Sequence, residues 1–479
     1  MSFKKFRHSL GRLLRIKKYL FMAESGKTLD LDALLGPPCD VRRRADWRTE
    51  AVRLFAERDR LPRAAVHCGD CSEKDLVWYA SAGFGKVLLL APPSDPPLAV
   101  PAGLELLRME GKAHATWAAT LSKHSREPAE FEFFCFSEGG QIPTSLPTSA
   151  QAVRWRLRLE GDACIASAAQ AKTGYLADQG LNLAFLGPRQ ADGQVDALFL
   201  RRPVVTMSDF GRNGRFGNQL FQRTFLRLVA RRQGAILQLP LWAGTALFGV
   251  EDPAPSARPL PLVREESLDS EARRLLWAQT DARFVGLDFS GYGMSPTGML
   301  AGHREEIRAE HAFDLRLTAR FDAIMGPLLA GGKKLIVIHL RRGDYGYGQF
   351  FRAPCAWYQE WMSRQGFTPA THVLYICSED PGRYRARFAG FTVITADDLG
   401  TPRELAPYFD FLAMTQADAL AVANSSFSFF AAMINARAGA FVRPDALRGG
   451  LVPFDPWDAE PLLDQKLSPE EHLRLKEID

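Results

Sequence analysis

Acidic metal-binding triplets, paired cysteines and long apolar runs are all scarce in this 479-residue chain. No window reaches the ~18 uninterrupted apolar residues that a membrane-spanning helix needs. The seven cysteines, at 39, 68, 71, 135, 164, 355 and 377, are odd in number and scattered. They fit reduced thiols in a cytosol rather than a disulfide framework. Cys68 and Cys71 form a lone CxxC, which without a second pair is weak evidence for zinc or redox chemistry. The one DxD-type triplet of interest, Asp30-Leu31-Asp32, stands far upstream of the motifs described below. Low-complexity tracts and internal repeats are absent. With 46% apolar and 24% charged residues the composition is that of a globular chain, long enough for roughly three domains of about 150 residues. A net charge of only +5 gives the whole chain no preference for nucleic acid.

That charge is unevenly placed. Lys4, Lys5, Arg7, Arg12, Arg15, Lys17 and Lys18 face a single acid, Glu24, within residues 1–25. Leu10, Leu13, Leu14, Ile16 and Leu20 interleave at roughly helical spacing. A basic amphipathic helix of this kind lies on an anionic membrane surface through residues 1–21, or packs its leucine stripe on the protein. Charges break the apolar run and no small-residue cleavage site follows, so a signal peptide is not expected. The expected location is cytoplasmic, with peripheral contact at the inner membrane face.

Three blocks follow, over 26–200, 203–332 and 333–479. In the first, Ala64–Gly69 reads as a strand entering a turn, Lys74–Tyr79 as a helix and Val87–Pro92 as a buried strand, which is one βαβ unit. The second opens with the strand Val204–Met207, a loop with three glycines (Gly211, Gly214, Gly217), a helix over Asn218–Arg232 and a strand over Ala235–Leu239. The third starts after Gly331-Gly332 with the apolar run Leu335–Leu340. Strands over His372–Cys377, Phe391–Thr395, Leu420–Ala423 and Ala440–Val442 alternate with helices. The fold class expected is α/β: two Rossmann-type halves facing a cleft, preceded by a further α/β domain.

Three constellations carry chemistry. His339-Leu340-Arg341-Arg342-Gly343-Asp344-Tyr345 stands at the carboxyl end of a buried strand. Two guanidiniums there can draw off the negative charge of a departing diphosphate; the plain alternative is a structural Arg–Asp pair. Gly214-Arg215-Phe216-Gly217-Asn218-Gln219 lets backbone approach a ligand ahead of a helix N-terminus that favours anions; alternatively it only caps that helix. Asn424-Ser425-Ser426-Phe427-Ser428 brings three hydroxyls to a helix start, suited to phosphate oxygens or to capping alone. Asp344 is the nearest carboxylate for a general base, or it holds Arg342 in place.

Together these segments resemble the α-1,2-fucosyltransferase family and its α-1,6- and protein O-fucosyltransferase relatives over about 203–450. GRFGNQLFQ (214–222), IHLRRGDY (338–345) and the stretch from Asp410 to Asn435 with its NSSFS core are similar to that family's motifs, in order. Ser378-Glu379-Asp380 fits the strand-end acids between them. The resemblance implies a GT-B-like fold and inverting transfer of L-fucose from GDP-fucose to a glycan hydroxyl, with no metal and no cofactor. It further implies that Arg341 binds the β-phosphate, with His339 supporting the nucleotide. Ser425, Ser426 and Phe427 would cradle the pyrophosphate, and Asp410, or alternatively Asp418, would read guanine. Arg215, Gly217 and Asn218 would sit beside the sugar, with Ser378 near the nucleotide. Two departures bear on substrate choice: Phe429-Phe430 stand where bacterial relatives often carry tryptophans, and Arg223-Thr224 replace a usual Tyr-Ala.

The first block resembles the opening of an FkbM-like S-adenosylmethionine-dependent methyltransferase, but His67 stands in place of an acid and Ala91-Pro92 lack the ribose-binding acid. A structural or acceptor-binding module is therefore expected. A methyltransferase with a sugar-recognition C-terminal half, and a non-catalytic nucleotide- or glycan-binding protein, are the alternatives.

Overall fold

The computed structural model describes residues 194–478 with breaks at 251, 257–258 and 279–283. Ahead of them it describes 29–35, 48, 51, 64–68, 71–90, 99–109, 133–136, 146, 150–158, 176–187 and 190. The basic segment 1–25 lies outside the described residues, as do Ala91-Pro92, Cys39 and Cys164. Among the described residues no helix is long and apolar enough to cross a membrane.

Three sheets follow one another along the chain. The first contains β1 (Ala64–Cys68), β2 (Lys86–Leu90), β3 (Glu105–Met109), β4 (Phe133–Phe136), β5 (Ala152–Arg158), β6 (Asn182–Leu186) and β7 (Gln194–Leu200). Its order is 3-2-1-4-5-7-6, parallel through β5, with β7 antiparallel to both β5 and β6. Helix α1 (Glu73–Ser81) joins β1 to β2 and starts on a capping box between Ser72 and Asp75. Strand order reverses between β1 and β4, the place where α/β sheets ordinarily receive ligands. Here a row of register partners, His67, Cys135 and Arg154, fills the sheet face. His67 Nδ1 meets the Tyr79 hydroxyl at 3.0 Å, Arg154 donates to Cys135 Sγ at 3.4 Å, and Arg154 pairs with Asp196. Burial alone would push the Cys135 thiol up, but His67 and Arg154 bring it down to about 6.

The second sheet has β8 (Val204–Thr206), β9 (Ile236–Gln238), β10 (Leu262–Arg264) and β11 (Leu287–Ser290), all parallel in the order 10-11-8-9. Between β8 and β9 runs α2 (Phe216–Arg232). Its Leu220, Phe221, Phe225, Leu228 and Val229 are buried, while Arg231 and Arg232 sit in the last turn, where cations complement the helix dipole. The third sheet begins at β12 (Lys334–Leu340), whose residues after Lys334 are all buried. Helix α3 (Cys355–Arg364), β13 (His372–Ser378), β14 (Val393–Ile394), α4 (Ala406–Gln416), β15 (Ala419–Ala421), α5 (Ser426–Ile434), β16 (Ala440–Asp445) and β17 (Gly450–Pro453) follow. The order is 14-13-12-15-16-17, parallel except for the final hairpin. This is a mixed α/β architecture whose last two sheets form a pair of Rossmann-type halves.

Those halves are packed together. A single apolar core includes Phe221 and Phe225 of α2, Phe409 and Phe411 of α4, and Phe429 and Phe430 of α5. Within the Asp30-Leu31-Asp32 triplet, Leu31 joins the same core and Asp30 caps its short helix by accepting from the Ala33 amide.

Candidate active site

Both parallel sheets reverse their strand order beside their first strand, between β8 and β11 in one and between β12 and β15 in the other. The loops leaving those strands carry the three sequence constellations, and they converge on one cavity of about 530 Å³. It is lined by Gly214–Asn218 after β8, Tyr292 and Met294 after β11, His339, Arg341, Asp344, Tyr345, Tyr347, Gln349 and Phe350 at the end of β12 and in the loop that follows, Ser378 and Glu379 at the end of β13, and Ser425–Phe427 after β15. Asp410 and Tyr408 of α4 complete it.

Two helix N-termini open onto this space. Helix α2 starts at Phe216 and α5 at Ser426, and neither start carries a side-chain cap. Uncapped helix starts of this kind favour an anion through their first-turn amides and the helix dipoles. The helices approach so closely that a Cβ on Gly217 would lie 2.4 Å from the Phe427 amide nitrogen. Only glycine admits that contact. Ser426 donates to Asn218 Oδ1 at 2.5 Å across the same junction.

Side-chain alternation along β12 sorts its end. Arg341 lies on the cavity side with His339; Arg342 does not. Arg342 is only 7% exposed, its Nε donates to the Tyr384 hydroxyl at 3.2 Å, and its guanidinium lies 5.1 Å from that ring. Of the two guanidiniums expected together at a departing diphosphate, Arg341 alone lines the cavity, which corrects the expected pair. Arg341 lies 5.4 Å from the Tyr345 ring and pairs with Glu379 and with Asp344, the latter at 2.9 Å. Asp344 Oδ2 also accepts from Arg215 at 2.9 Å. The carboxylate expected to steady Arg342 instead joins Arg341 to Arg215, one guanidinium from each half.

Burial lowers His339 to about 3, helped by the neighbouring Arg341, so the ring is neutral at ordinary pH. Its Nδ1 is buried without a hydrogen-bond partner, and the ring meets Phe427 edge-on at 5.8 Å. Burial would raise Glu379, but Arg341 and the Arg342 amide hold it below the usual carboxylate range. Asp410 behaves oppositely. Burial pushes its carboxyl well up, and the Tyr375 hydroxyl donating at 3.1 Å offsets this only in part.

Arg341, Asp344, His339, Arg215, Gly217, Asn218, Ser378, Asp410, Ser425, Ser426 and Phe427 are thus gathered around one cavity, and Arg342 is not. Asp418, the alternative to Asp410, lies at the amino end of β12, accepting from the Leu335 amide at 2.8 Å. That is the wrong end of the sheet for ligand. Sequence reasoning placed Glu379 at a strand end without giving it a site role, and it overlooked the aromatic wall of Tyr292, Tyr345, Tyr347, Phe350 and Tyr408. The carboxyl-end position of Glu379, next to Ser378, was the available signal for the first; aromatics in loops carry no comparable one. Of the family departures, Phe429 and Phe430 are core residues, and Arg223 is buried in ion pairs with Asp252 at 2.6 Å and Glu310 at 2.9 Å.

The structure thus defines an α/β protein with two Rossmann-type halves and a cavity between them, and comparison with known proteins adds to this. No family model matches the chain. Over 249 residues the chain is 26% identical to galactoside α-(1,2)-fucosyltransferase 1 of Pan troglodytes, across 46% of this chain and 63% of that relative. The match therefore spans less than two thirds of the relative's length. Among solved structures, the NodZ α-1,6-fucosyltransferase co-crystallised with GDP is 15% identical, with a TM-score of 0.38 over 53% of this chain and 98% of NodZ. Fucosyltransferase NodZ from Bradyrhizobium, in a further structure, gives 15% and 0.36. The chain is similar to fucosyltransferases, as its motifs imply.

Proposed function

We propose that this chain transfers L-fucose from GDP-fucose to a glycan hydroxyl, with inversion and without a metal ion. One observation carries the reading: two uncapped helix starts, held in contact by Gly217, face a cavity that Arg341 also lines. Amides and guanidinium together suit a diphosphate. The relative's printed name and the GDP in the NodZ crystal supply the sugar and the nucleotide.

In this reading the acceptor oxygen attacks the anomeric carbon from the face opposite the phosphate. The carbon–oxygen bond to the β-phosphate breaks and its electrons leave with GDP, whose growing charge Arg341 stabilises more in the transition state than in the ground state. The acceptor proton passes to solvent or to the released phosphate. Asp344 shares its two oxygens between Arg215 and Arg341, which suits it to placing them. Neutral His339 supports the nucleotide beside Phe427, the Ser425–Ser426 turn takes the pyrophosphate, and Asp410 reads guanine. By likeness to the named relative the linkage is α-1,2. The basic segment 1–21 favours work on a surface polysaccharide precursor at an anionic membrane face.

Incubation with GDP-fucose tests this. Release of GDP unaffected by EDTA, together with selective thermal stabilisation by GDP over UDP and CMP, is the expected result. Loss of activity on chelation overturns the metal-free step, and indifference to GDP overturns the donor.

A further inference from the structure

Two of the exposed large hydrophobic side chains among the described residues are tyrosines on the wall of this cavity, one from each half. Tyr292 is 51% exposed and Tyr347 59%. Their backbones are nonetheless pinned. The Tyr292 and Gly293 amides both donate to Glu265 Oε2, at 2.7 and 3.2 Å, and the Gly291 carbonyl before them accepts from Gln222 at 2.9 Å. Tyr347 sits between Gly346 (φ 123°) and Gly348 (φ 51°) in a tight hairpin closed by Gly346 N–H to Phe350 O at 2.7 Å. The C-terminal segment clamps that hairpin, with the Leu467 amide and His472 Nε2 reaching the Gly348 carbonyl at 3.3 and 3.1 Å. A ring left open to water on a fixed backbone is contact area already ordered, so a ligand that covers it loses little further entropy. From Tyr347, rings run inward through Phe350 at 5.6 Å and Tyr345 at 5.3 Å, and Tyr345 meets Arg341.

The charges lining the cavity point to the character of that ligand. Arg215, Asp344, Arg341 and Glu379 form one continuous ion-paired chain of two cations and two anions. The other described side chains that line the cavity near these loops in sequence, Met294, Gln349 and Phe350, carry no charge. A bound nucleoside diphosphate adds negative charge, and among the described residues lining the cavity no arginine or lysine lies outside that chain to meet an acidic acceptor. Resting on the donor reading above, we propose that the acceptor is an uncharged saccharide whose C–H faces lie on Tyr292 and Tyr347, and that these two residues set acceptor specificity.

Calorimetric titration of the full chain, with saturating GDP, decides the matter. The probes are lactose against lactose 3′-sulfate, cellobiose against cellobiouronic acid, and N,N′-diacetylchitobiose. At least one uncharged disaccharide should bind, with its charged counterpart weaker by about tenfold, or 1.4 kcal/mol. Tyr292→Ala and Tyr347→Ala should each weaken it by a similar factor and raise acceptor KM more than they lower kcat, with Tm near the wild-type value. Tyr→Trp at either position should restore binding, which a merely structural role would not produce. Equal affinity for a charged partner, wild-type affinity in both alanine variants, or no disaccharide binding at all overturns the proposal. Failure of GDP itself to bind instead brings down the donor reading, and the same titrations without nucleotide still decide the tyrosine platform.

Discussion

The Ser426 hydroxyl donates to the Asn218 side-chain oxygen at 2.5 Å, tying the first turn of a helix in one half to the first turn of a helix in the other. The contact exists because Gly217 has no side chain to hold the two backbones apart. The proposed anion site is therefore a property of the interface, and its chemistry should fail whenever that interface is spread.

Gly217→Ala tests this directly. The added methyl would overlap the Phe427 backbone, which cannot swing away as a side-chain tip could. Overpacking of this kind costs about 1–3 kcal/mol. Differential scanning calorimetry should show a lower Tm, and GDP should give a smaller stabilising shift than in wild type. An unchanged GDP response would mean that the helix junction is not where the diphosphate binds.

Arg341 and Arg342 should separate by phenotype despite being neighbours. Arg341→Ala should keep its fold and lose turnover by about 10²–10³, the range for removing one donor to a developing anion. Arg342→Ala should chiefly lower Tm, because that guanidinium is buried against Tyr384 and Cys355. A stable, inactive Arg342→Ala protein would reverse the assignment.

Asp344→Asn keeps the shape of the link between Arg215 and Arg341 while removing its charge. All three side chains are partly exposed, so little stability is at stake. The rate should fall by about tenfold to a hundredfold through misplacement of Arg341. Combined with Arg215→Gln, the loss should be less than additive, as expected for residues of one network. Full additivity would show that Asp344 acts apart from Arg215.

Asp410 links stability to pH. Burial raises its carboxyl, so the folded chain holds this proton more tightly than the unfolded chain, where it leaves near pH ~4. Stability from this group is therefore full below that value and is lost as pH climbs through the higher folded one. Asp410→Asn should be more stable than wild type at pH 7.5, by about 1–3 kcal/mol, and converge with it near pH 4. GDP should respond in the other direction. Guanine N–H groups favour a carboxylate, so wild-type affinity should rise with pH and Asp410→Asn should bind GDP about 1.5–3 kcal/mol more weakly. Unchanged GDP affinity in the variant would remove Asp410 from the nucleotide site.

Much of this arrangement is legible in the sequence, for reasons that can be named. The continuous apolar run of β12 and the glycine loop before α2 announce buried parallel strands and a helix start, and ligands gather at strand carboxyl ends. The run predicted over Leu335–Leu340 forms Lys334–Leu340, and the helix predicted from Asn218 begins two residues earlier at Phe216. Strand ends were less visible: Phe391–Thr395 shortens to Val393–Ile394. The direction of Arg342 follows from alternation, yet two adjacent arginines read most simply as a pair. The partners of Asp344 lie 129 residues away in one case and 3 in the other, and no local pattern reports the former. Tyr292 and Tyr347 reach one wall only through tertiary folding.

Phe221 of α2 meets Phe430 of α5 edge-on at 5.1 Å, and Phe216 meets Phe411 of α4 at 5.4 Å. The glycine pair at 331–332 reads as a seam between two halves, but these rings make them thermodynamic partners: severing the chain there would strip each fragment of its hydrophobic floor. Residues 203–479 should melt in one transition, and neither fragment should survive expression alone.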